Sequence, residues 1–326
     1  EKLSKVMKPT IEVEPNLFVM NPLAIPAYGN SLIKKLNGLS LRWQIKRTMK
    51  RLGFKRPVNY TFLPSAALLA KRLGEDYLIY HCVDEYAAFT DIEAGPILAL
   101  EKELMQKSDL VVVSAEKLLD DKKSENPNTH LIRHGTDWRH FRTALDPNLA
   151  VPPEVAGLPG PIIGFHGLLA DWVDFELIKK VAEHFSHGSV VLVGKVAADA
   201  EKHASVLDGI TNVHFLGRKP YADLPAYCKA FDVALNPFVV NELTLAANPL
   251  KVREYLAAGL PVVSTDIPEC RVLPDCLIGT DHADFIAKIE SALADPKPRE
   301  VISDAIAHES WDAKVDEIRA LIATRN

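Results

Sequence analysis

The stretch from Thr244 to Gly259 has the residue types and spacing to bind a phosphorylated ligand. Asn248 is a preferred N-cap residue, and the proline after it suits the first position of a helix. The loop starting at Thr244 would leave free backbone amides, and a helix N-terminus attracts a diphosphate. Lys251 would add a positive charge, and Glu254, three residues later on the same face, could accept both hydroxyls of a ribose. The alternative is a capped surface helix with a Lys–Glu pair.

Three further candidates for ligand binding follow predicted strands in the second half of the chain: Gly167, Lys195 and Arg218. Doubly wound sheets bind ligands outside the carboxyl ends of their strands, which is where these residues would lie. Each of the two basic residues is, taken alone, equally typical of a solvated loop.

A second group, His81 and Asp84, follows the strand predicted over residues 76–80. A carboxylate at a strand end could act as a general base for an attacking hydroxyl. The alternative is a polar residue that hydrogen-bonds to a turn. These two residues are the catalytic candidates.

Several other site classes are excluded by spacing. The stretch 188–195 looks like a phosphate-binding P-loop, but it is one residue too long and Val196 replaces the required Ser or Thr. No GxGxxG sequence follows a predicted strand, which argues against a dehydrogenase. His184 and His187 share a helix turn without a third ligand, so no metal site is predicted.

Strand and helix patterns alternate along the 326 residues, which predicts an α/β protein of two domains. Prolines and glycines between 146 and 161 indicate a linker. We therefore expect domains at 1–150 and 151–307, with a last helix in 308–326 that packs back on the N-terminal domain. Only three strands are evident before the linker, so the N-terminal domain is expected to lack its first strand–helix–strand portion.

Positive charge is concentrated in residues 31–56, which contain nine basic residues and no acidic ones. Leu41, Ile45, Met49 and Leu52 recur there at helical spacing. Such a helix could lie on an anionic membrane, or it could pack its apolar stripe on its own domain. Nucleic acid is disfavoured as a partner, because no aromatic residues interleave with a wider basic face. No apolar run is long enough to span a bilayer, and four scattered cysteines are typical of a reduced, cytoplasmic protein.

The chain resembles GT-B glycosyltransferases, above all the bacterial enzymes of teichuronic acid and exopolysaccharide synthesis. The resemblance rests on Asp232-Val-Ala-Leu-Asn-Pro-Phe238 and on Lys251-x-x-Glu254-Tyr followed by a Gly-x-Pro-Val-Val turn. Tyr80-His-Cys-Val-Asp-Glu-Tyr86 and residues 128–137 fit the same pattern, so the similarity covers roughly 57–320.

The resemblance implies two Rossmann-like domains that face a cleft. It implies transfer of a sugar, with a UDP-sugar as the expected donor, to a glycan or lipid-linked acceptor, without metal or other cofactor. In that family the position of Lys251 meets the diphosphate and that of Glu254 the ribose. An Asp at the position of Asp84 implies inversion, whereas a His at that of His81 implies retention.

Two departures from the family pattern affect the donor site. Ala246 stands where many retaining members carry a second Glu, and the turn 167–174 lacks their Arg and Lys. Two other functions stay open at this point: a non-hydrolysing nucleotide-sugar epimerase, and a nucleotide-sugar-binding protein without catalytic activity.

Overall fold

A computed structural model describes residues 10–25, 31–89 and 93–324 of the chain. Its contacts divide the chain into two compact units. Unit 1 comprises Glu1–Cys82, Phe89–Val112 and Lys122–His130, and unit 2 comprises Val83–Ala88, Val113–Asp121 and Leu131–Asn326. The domain boundaries predicted at 150 and 307, and the packing of the last helix, stay predictions.

Twelve strands occur within the described ranges. They are β1 Thr10–Glu14, β2 Leu17–Met20, β3 Val58–Thr61, β4 Tyr77–Cys82, β5 Leu110–Val113, β6 Thr129–Leu131, β7 Ile162–His166, β8 Ser189–Val193, β9 Val213–Gly217, β10 Val233–Asn236, β11 Val262–Thr265 and β12 Cys276–Gly279.

The α-helices of the described ranges lie mostly between these strands. They are α1 Ser31–Arg51, α2 Ala94–Lys107, α3 Glu116–Lys122, α4 Trp138–Arg142, α5 Pro153–Ala156, α6 Phe175–His184, α7 Glu201–Ala204, α8 Leu224–Ala230, α9 Glu242–Leu245, α10 Leu250–Ala257, α11 Pro268–Arg271, α12 His282–Ala294, α13 Arg299–Ala305 and α14 Trp311–Ala323.

The sheet of unit 2 has six parallel strands in the order β12-β11-β10-β7-β8-β9. Its central strands are apolar runs that are buried along their whole length, as expected for a sheet covered on both faces. The chain leaves β7 in one direction through β8 and β9, then returns to β10 on its other side. This is the Rossmann strand order, with its topological switch point between β7 and β10.

Helix α10 follows β10 in the chain and is anchored by its own buried residues. Tyr255 and Leu256 belong to the apolar core, and the guanidinium of Arg253 is completely buried. Arg253 forms an ion pair with Glu309 at 3.3 Å. These contacts fix the helix, and with it the direction of Lys251 and Glu254.

Unit 1 holds nearly all of a four-stranded sheet in the order β3-β4-β5-β6. A buried network stabilises it, in which Glu101 accepts from Lys122 at 2.9 Å and from the Tyr80 hydroxyl at 2.6 Å. Neither β3 nor the separate hairpin of β1 and β2 was predicted, because such short segments carry little periodicity. Strand β4 extends to Cys82, so His81 lies within the strand rather than after it.

Helix α1 carries two apolar rows. The row that the sequence analysis singled out, Leu41, Ile45, Met49 and the following Leu52, is half-buried. A second row, which was not singled out, is exposed; it consists of Leu36, Leu39 and Trp43, with exposed fractions of 50%, 64% and 64%. The helix thus has apolar side chains on both its inner and its outer face.

Candidate active site

The candidate site lies at the switch point of the unit 2 sheet, where β7 and β10 end. Gly167 follows β7 directly, and its backbone has a φ of +136°, which glycine tolerates and other residues avoid. A Cβ at Gly167 would come within 2.9 Å of Cε of Lys251. The backbone angle therefore favours glycine here, and the Lys251 side chain crosses directly over it.

The Lys251 ammonium lies against two aromatic rings. Its Nζ is 4.3 Å from the ring centroid of Phe238 and 5.0 Å from that of Phe165. Burial lowers the pKa of Lys251 to about 8, although the nearby charge of Glu254 opposes this shift. Within the described ranges no carboxylate forms an ion pair with Lys251, so its charge is available to an anion.

Glu254, one turn further along α10, is only 7% exposed. Burial raises the pKa of its carboxyl to about 7, and the charge of Lys251 only partly offsets the effect. Nε2 of His166 lies 3.7 Å from the carboxylate, too far for a hydrogen bond. The carboxylate is therefore able to accept further hydrogen bonds, and its contact with a ribose stays a prediction.

His166, the last residue of β7, was not among the predicted site residues. The hydroxyl of Tyr255 accepts from its backbone N–H at 2.6 Å and donates to its carbonyl at 3.1 Å. Its ring stacks on Phe141 at 5.9 Å, and burial lowers its pKa to about 3, so the imidazole is neutral. Its buried Nε2 has no hydrogen-bond partner among the described residues. Its position just before the predicted Gly167 was the signal that could have identified it.

The side chain of Thr244, predicted to bind the donor, is buried and occupied by the protein itself. Its hydroxyl donates to the carbonyl of Val239 at 2.5 Å and takes part in a capping box with Asn241. The expectation that the backbone amides of this loop are free is wrong. The N–H groups of Leu245, Ala246 and Ala247 all donate to backbone carbonyls of α9 and its cap.

The expected N-cap role of Asn248 is also wrong, because Pro249 occupies that position and α10 has no side-chain cap. The Asn248 amide instead donates to the carbonyl of Ser114 at 2.6 Å and accepts from Arg253. Asn248 thus orients the approach to α10 from within the protein. A direct contact of Asn248 or Thr244 with a ligand stays a prediction.

Lys195 and Arg218 have exposed side chains at the ends of β8 and β9. Strand β8 neighbours β7, and β9 lies one strand further out, so their strand ends lie about 5 and 10 Å from that of β7. Lys195 is the better placed of the two, and both roles stay predictions.

The catalytic candidates differ in their surroundings. His81 is buried in β4, where its Nδ1 lies 2.7 Å from the hydroxyl of Tyr60 and its ring lies 5.3 Å from Phe62. Asp84 follows the strand and is half-buried, and burial raises its pKa to about 6. A carboxyl with such a pKa can exchange a proton near neutral pH. Neither residue's catalytic role is tested by this geometry.

Within residues 10–25, 31–89 and 93–324, no cluster of three His, Cys, Asp or Glu side chains is placed to hold a metal ion. None of the helices in these ranges has the length and hydropathy that a membrane crossing requires.

Comparison with known proteins identifies the class of enzyme. Residues 160–295 match the family "Glycosyl transferases group 1". The chain is 26% identical over 281 residues to TuaH of Bacillus subtilis (strain 168), a glycosyltransferase named for teichuronic acid biosynthesis. That alignment covers 79% of this chain and 70% of TuaH.

Two solved structures share the fold over nearly the whole chain. Sucrose-phosphate synthase from Thermosynechococcus elongatus has a TM-score of 0.74 at 19% identity, over 97% of this chain and 86% of that one. HepE from Anabaena, solved with UDP, has a TM-score of 0.68 at 16% identity, over 89% and 84%. The expected GT-B fold is confirmed, and the family match supports a glycosyltransferase, the first of the three functions considered. The chain is a glycosyltransferase with the GT-B fold, and its residues 160–295 are similar to the group 1 family.

Proposed function

We propose that this enzyme transfers a sugar from a UDP-sugar to a glycan or lipid-linked acceptor of the bacterial envelope or an exopolysaccharide. The observation that carries the donor assignment is the pair Lys251 and Glu254 at the switch point of the unit 2 sheet. A cation without a carboxylate partner suits a diphosphate, and a nearly buried carboxylate without a hydrogen bond suits the vicinal hydroxyls of a ribose.

Two relatives support the finer assignment. HepE has been solved with UDP and with UDP-glucose, which favours UDP as the nucleotide of this chain as well. The name of TuaH refers to teichuronic acid biosynthesis, which favours a bacterial glycan as the product of this chain as well.

We further propose that the donor needs no metal ion. Lys251 and the N-terminus of α10 supply positive charge where the diphosphate would lie. Lys195, at the adjacent strand end, could add to it. The UDP-sugar is then a co-substrate, and no other cofactor is proposed.

The donor proposal is tested by calorimetric titration of the whole chain with UDP. We expect Glu254→Ala to weaken binding by about 1–3 kcal/mol, because charge-assisted hydrogen bonds to ribose are lost. Glu183→Ala, at an exposed position of α6, is the matched control and should bind as the parent does. A parent that does not bind UDP would refute the proposal. Equal affinity of parent and Glu254→Ala would remove Glu254 from the site.

Peripheral contact with an anionic membrane through residues 31–56 is a further proposal. Exposed basic side chains, among them Arg42, Arg47 and Lys50, share α1 with the exposed row of Leu36, Leu39 and Trp43. Apolar groups that enter the interface and cations beside them are the features that hold a helix on an anionic bilayer. A lipid-linked acceptor would be reached from such a position.

A further inference from the structure

We propose that Phe238 is the positioning residue of Lys251: its ring, with that of Phe165, holds the ammonium in place of a carboxylate and leaves its charge free for the donor. The inference rests on the proposed function only in naming a diphosphate as the anion.

The geometry of this aromatic clamp, Phe238 and Phe165, is specific. Both rings lie within about 6 Å of Nζ of Lys251, the range in which a ring face attracts a cation. The side chain also lies against Gly167, where an added Cβ would come within 2.9 Å of Cε. The lysine is thus confined between two ring faces and a glycine backbone.

Three titratable groups face Lys251, and none of them neutralises it. Glu254 lies on the same helix, His166 ends β7 as a neutral imidazole, and Cys270 is a thiol on α11. Glu254 and Cys270 act on Lys251 through longer-range electrostatics and form no ion pair with it. The two rings therefore lie against the ammonium and favour its charged form without neutralising it.

An aromatic clamp suits a lysine that must meet an anion. A carboxylate partner would hold the ammonium too, but it would repel the incoming diphosphate and would have to be displaced. Ring quadrupoles attract the cation without adding a negative charge. The clamp therefore fixes the position of the ammonium while its electrostatic attraction for the ligand is retained.

Phe238 is the ring that can be changed with least damage. Phe165 lies in the centre of the sheet and is fully buried, whereas Phe238 lies in the loop after β10 and is 6% exposed. Its backbone is fixed independently of the ring, because Thr265 donates to its carbonyl at 2.7 Å and its N–H donates to the carbonyl of Asn236 at 3.1 Å. A replacement of similar apolar volume should keep the loop in place.

The first experiment follows the titration of Lys251 without any ligand. NMR of protein labelled with ¹³Cε-lysine, with the signal assigned through Lys251→Met, reports its protonation. In Phe238→Leu the charged form loses one ring face, so we expect its midpoint to fall by about 0.4–1.5 pH units. Phe238→Tyr, which retains the face, should titrate near the parent value. A midpoint that is unchanged or higher in Phe238→Leu overturns the clamp.

The second experiment measures UDP binding. We expect Phe238→Leu to bind UDP about 2- to 30-fold more weakly, with Phe238→Tyr close to the parent. In a Lys251→Met background, Phe238→Leu should weaken UDP binding little further, because the ring acts through the lysine. Phe175→Leu, an equally buried core phenylalanine, is the control and should lower the melting temperature without changing UDP affinity.

These experiments distinguish a failure of the aromatic clamp from a failure of the donor assignment. If Phe238→Leu shifts the lysine titration but the parent binds no UDP, the clamp stands and the donor assignment fails. If the parent binds UDP and Phe238→Leu binds it equally well, Phe238 does not position Lys251 and the inference is wrong. The inference is also wrong if Phe238→Leu lowers UDP affinity as much in the Lys251→Met background as in the parent.

Discussion

Lys251 and Glu254 are both held in surroundings that disfavour their charged forms. Burial lowers the pKa of Lys251 to about 8 and raises that of Glu254 to about 7, so each is close to losing its charge near physiological pH. A diphosphate would stabilise the ammonium, and ribose hydroxyls would stabilise the carboxylate. The site is thus electrostatically incomplete without a ligand of this kind.

This pair predicts a bell-shaped dependence of UDP affinity on pH. Below about pH 7 the free protein protonates Glu254, and above about pH 8 it deprotonates Lys251, so affinity should be highest between these values. Outside that window the dissociation constant should rise up to about tenfold per pH unit, because each form that binds well is depleted in that proportion. Calorimetry from pH 6 to 9 measures the profile.

Two variants assign the limbs of that profile. Glu254→Gln should bind more weakly and lose the acidic limb, whereas Lys251→Met should lose the alkaline limb. An alkaline limb that persists in Lys251→Met would belong to the uracil ring or another group, and the assignment to Lys251 would then be wrong.

Sequence reasoning proposed Lys251 and Glu254 as ligand-binding residues but did not predict their surroundings. The Lys-x-x-Glu spacing on a helix is visible in the chain, and so is the glycine after β7. Phe165, Phe238 and His166 are missing from that prediction, because their contacts with Lys251 and Glu254 join residues about 13–88 positions apart. Burial, which sets both pKa shifts, is likewise a property of the packed protein.

At the scale of elements, α1 shows what a sequence pattern leaves open. The helical spacing of Leu41, Ile45 and Met49 correctly indicated a helix, but either of two faces could have packed. In the structure that row is half-buried, and Leu39 and Trp43 are exposed instead. Which apolar row turns inward depends on the neighbouring chain, which the periodicity of one helix does not encode.

The exposed face of α1 predicts that the protein binds vesicles containing an anionic lipid. Each basic side chain near such a surface contributes about 1 kcal/mol. Replacing Arg42, Arg47 and Lys50 by glutamine in one variant should therefore lower the partition coefficient of the protein onto anionic vesicles by on the order of 100-fold. Flotation with phosphatidylcholine vesicles, with and without phosphatidylglycerol, measures it.

A matched control for charge is the triple glutamine variant of Lys123, Lys180 and Lys202, all exposed and outside residues 31–56. It should float like the parent protein. Equal flotation on neutral and anionic vesicles would leave only the packing role of α1, and an equal loss in the control would show a general effect of net charge.

At the scale of the whole molecule, the second half was far more predictable than the first. Its short turns and alternating buried strands indicated a doubly wound sheet, although the order of the six strands cannot be read from the chain. In the first half, β3 and the hairpin were missed, since both are short and partly exposed. Local patterns identify buried strands well and exposed ones poorly.

The whole enzyme must both bind the donor and activate the acceptor, and the two tasks are predicted to rest on different parts of the chain. The residues predicted to bind the donor lie between Gly167 and Glu254, whereas the predicted base is Asp84. Burial raises the pKa of Asp84 to about 6, which lets it accept a proton from a hydroxyl near neutral pH. Asp84→Asn should therefore lower turnover by about 10²–10⁴-fold and leave UDP affinity unchanged.

His81 provides the competing assignment, and the product decides between them. His81→Ala should lower turnover less than Asp84→Asn does if the reaction inverts the configuration of the anomeric carbon. It should lower turnover as much or more if the configuration is retained. Turnover of a UDP-sugar and the anomeric configuration of the product by NMR are the measurements. Asp76→Asn, just before the other end of β4, is the control and should remain active. A fully active Asp84→Asn enzyme would exclude Asp84 as the base and move the assignment to His81, because a general base cannot be replaced by an amide that accepts no proton.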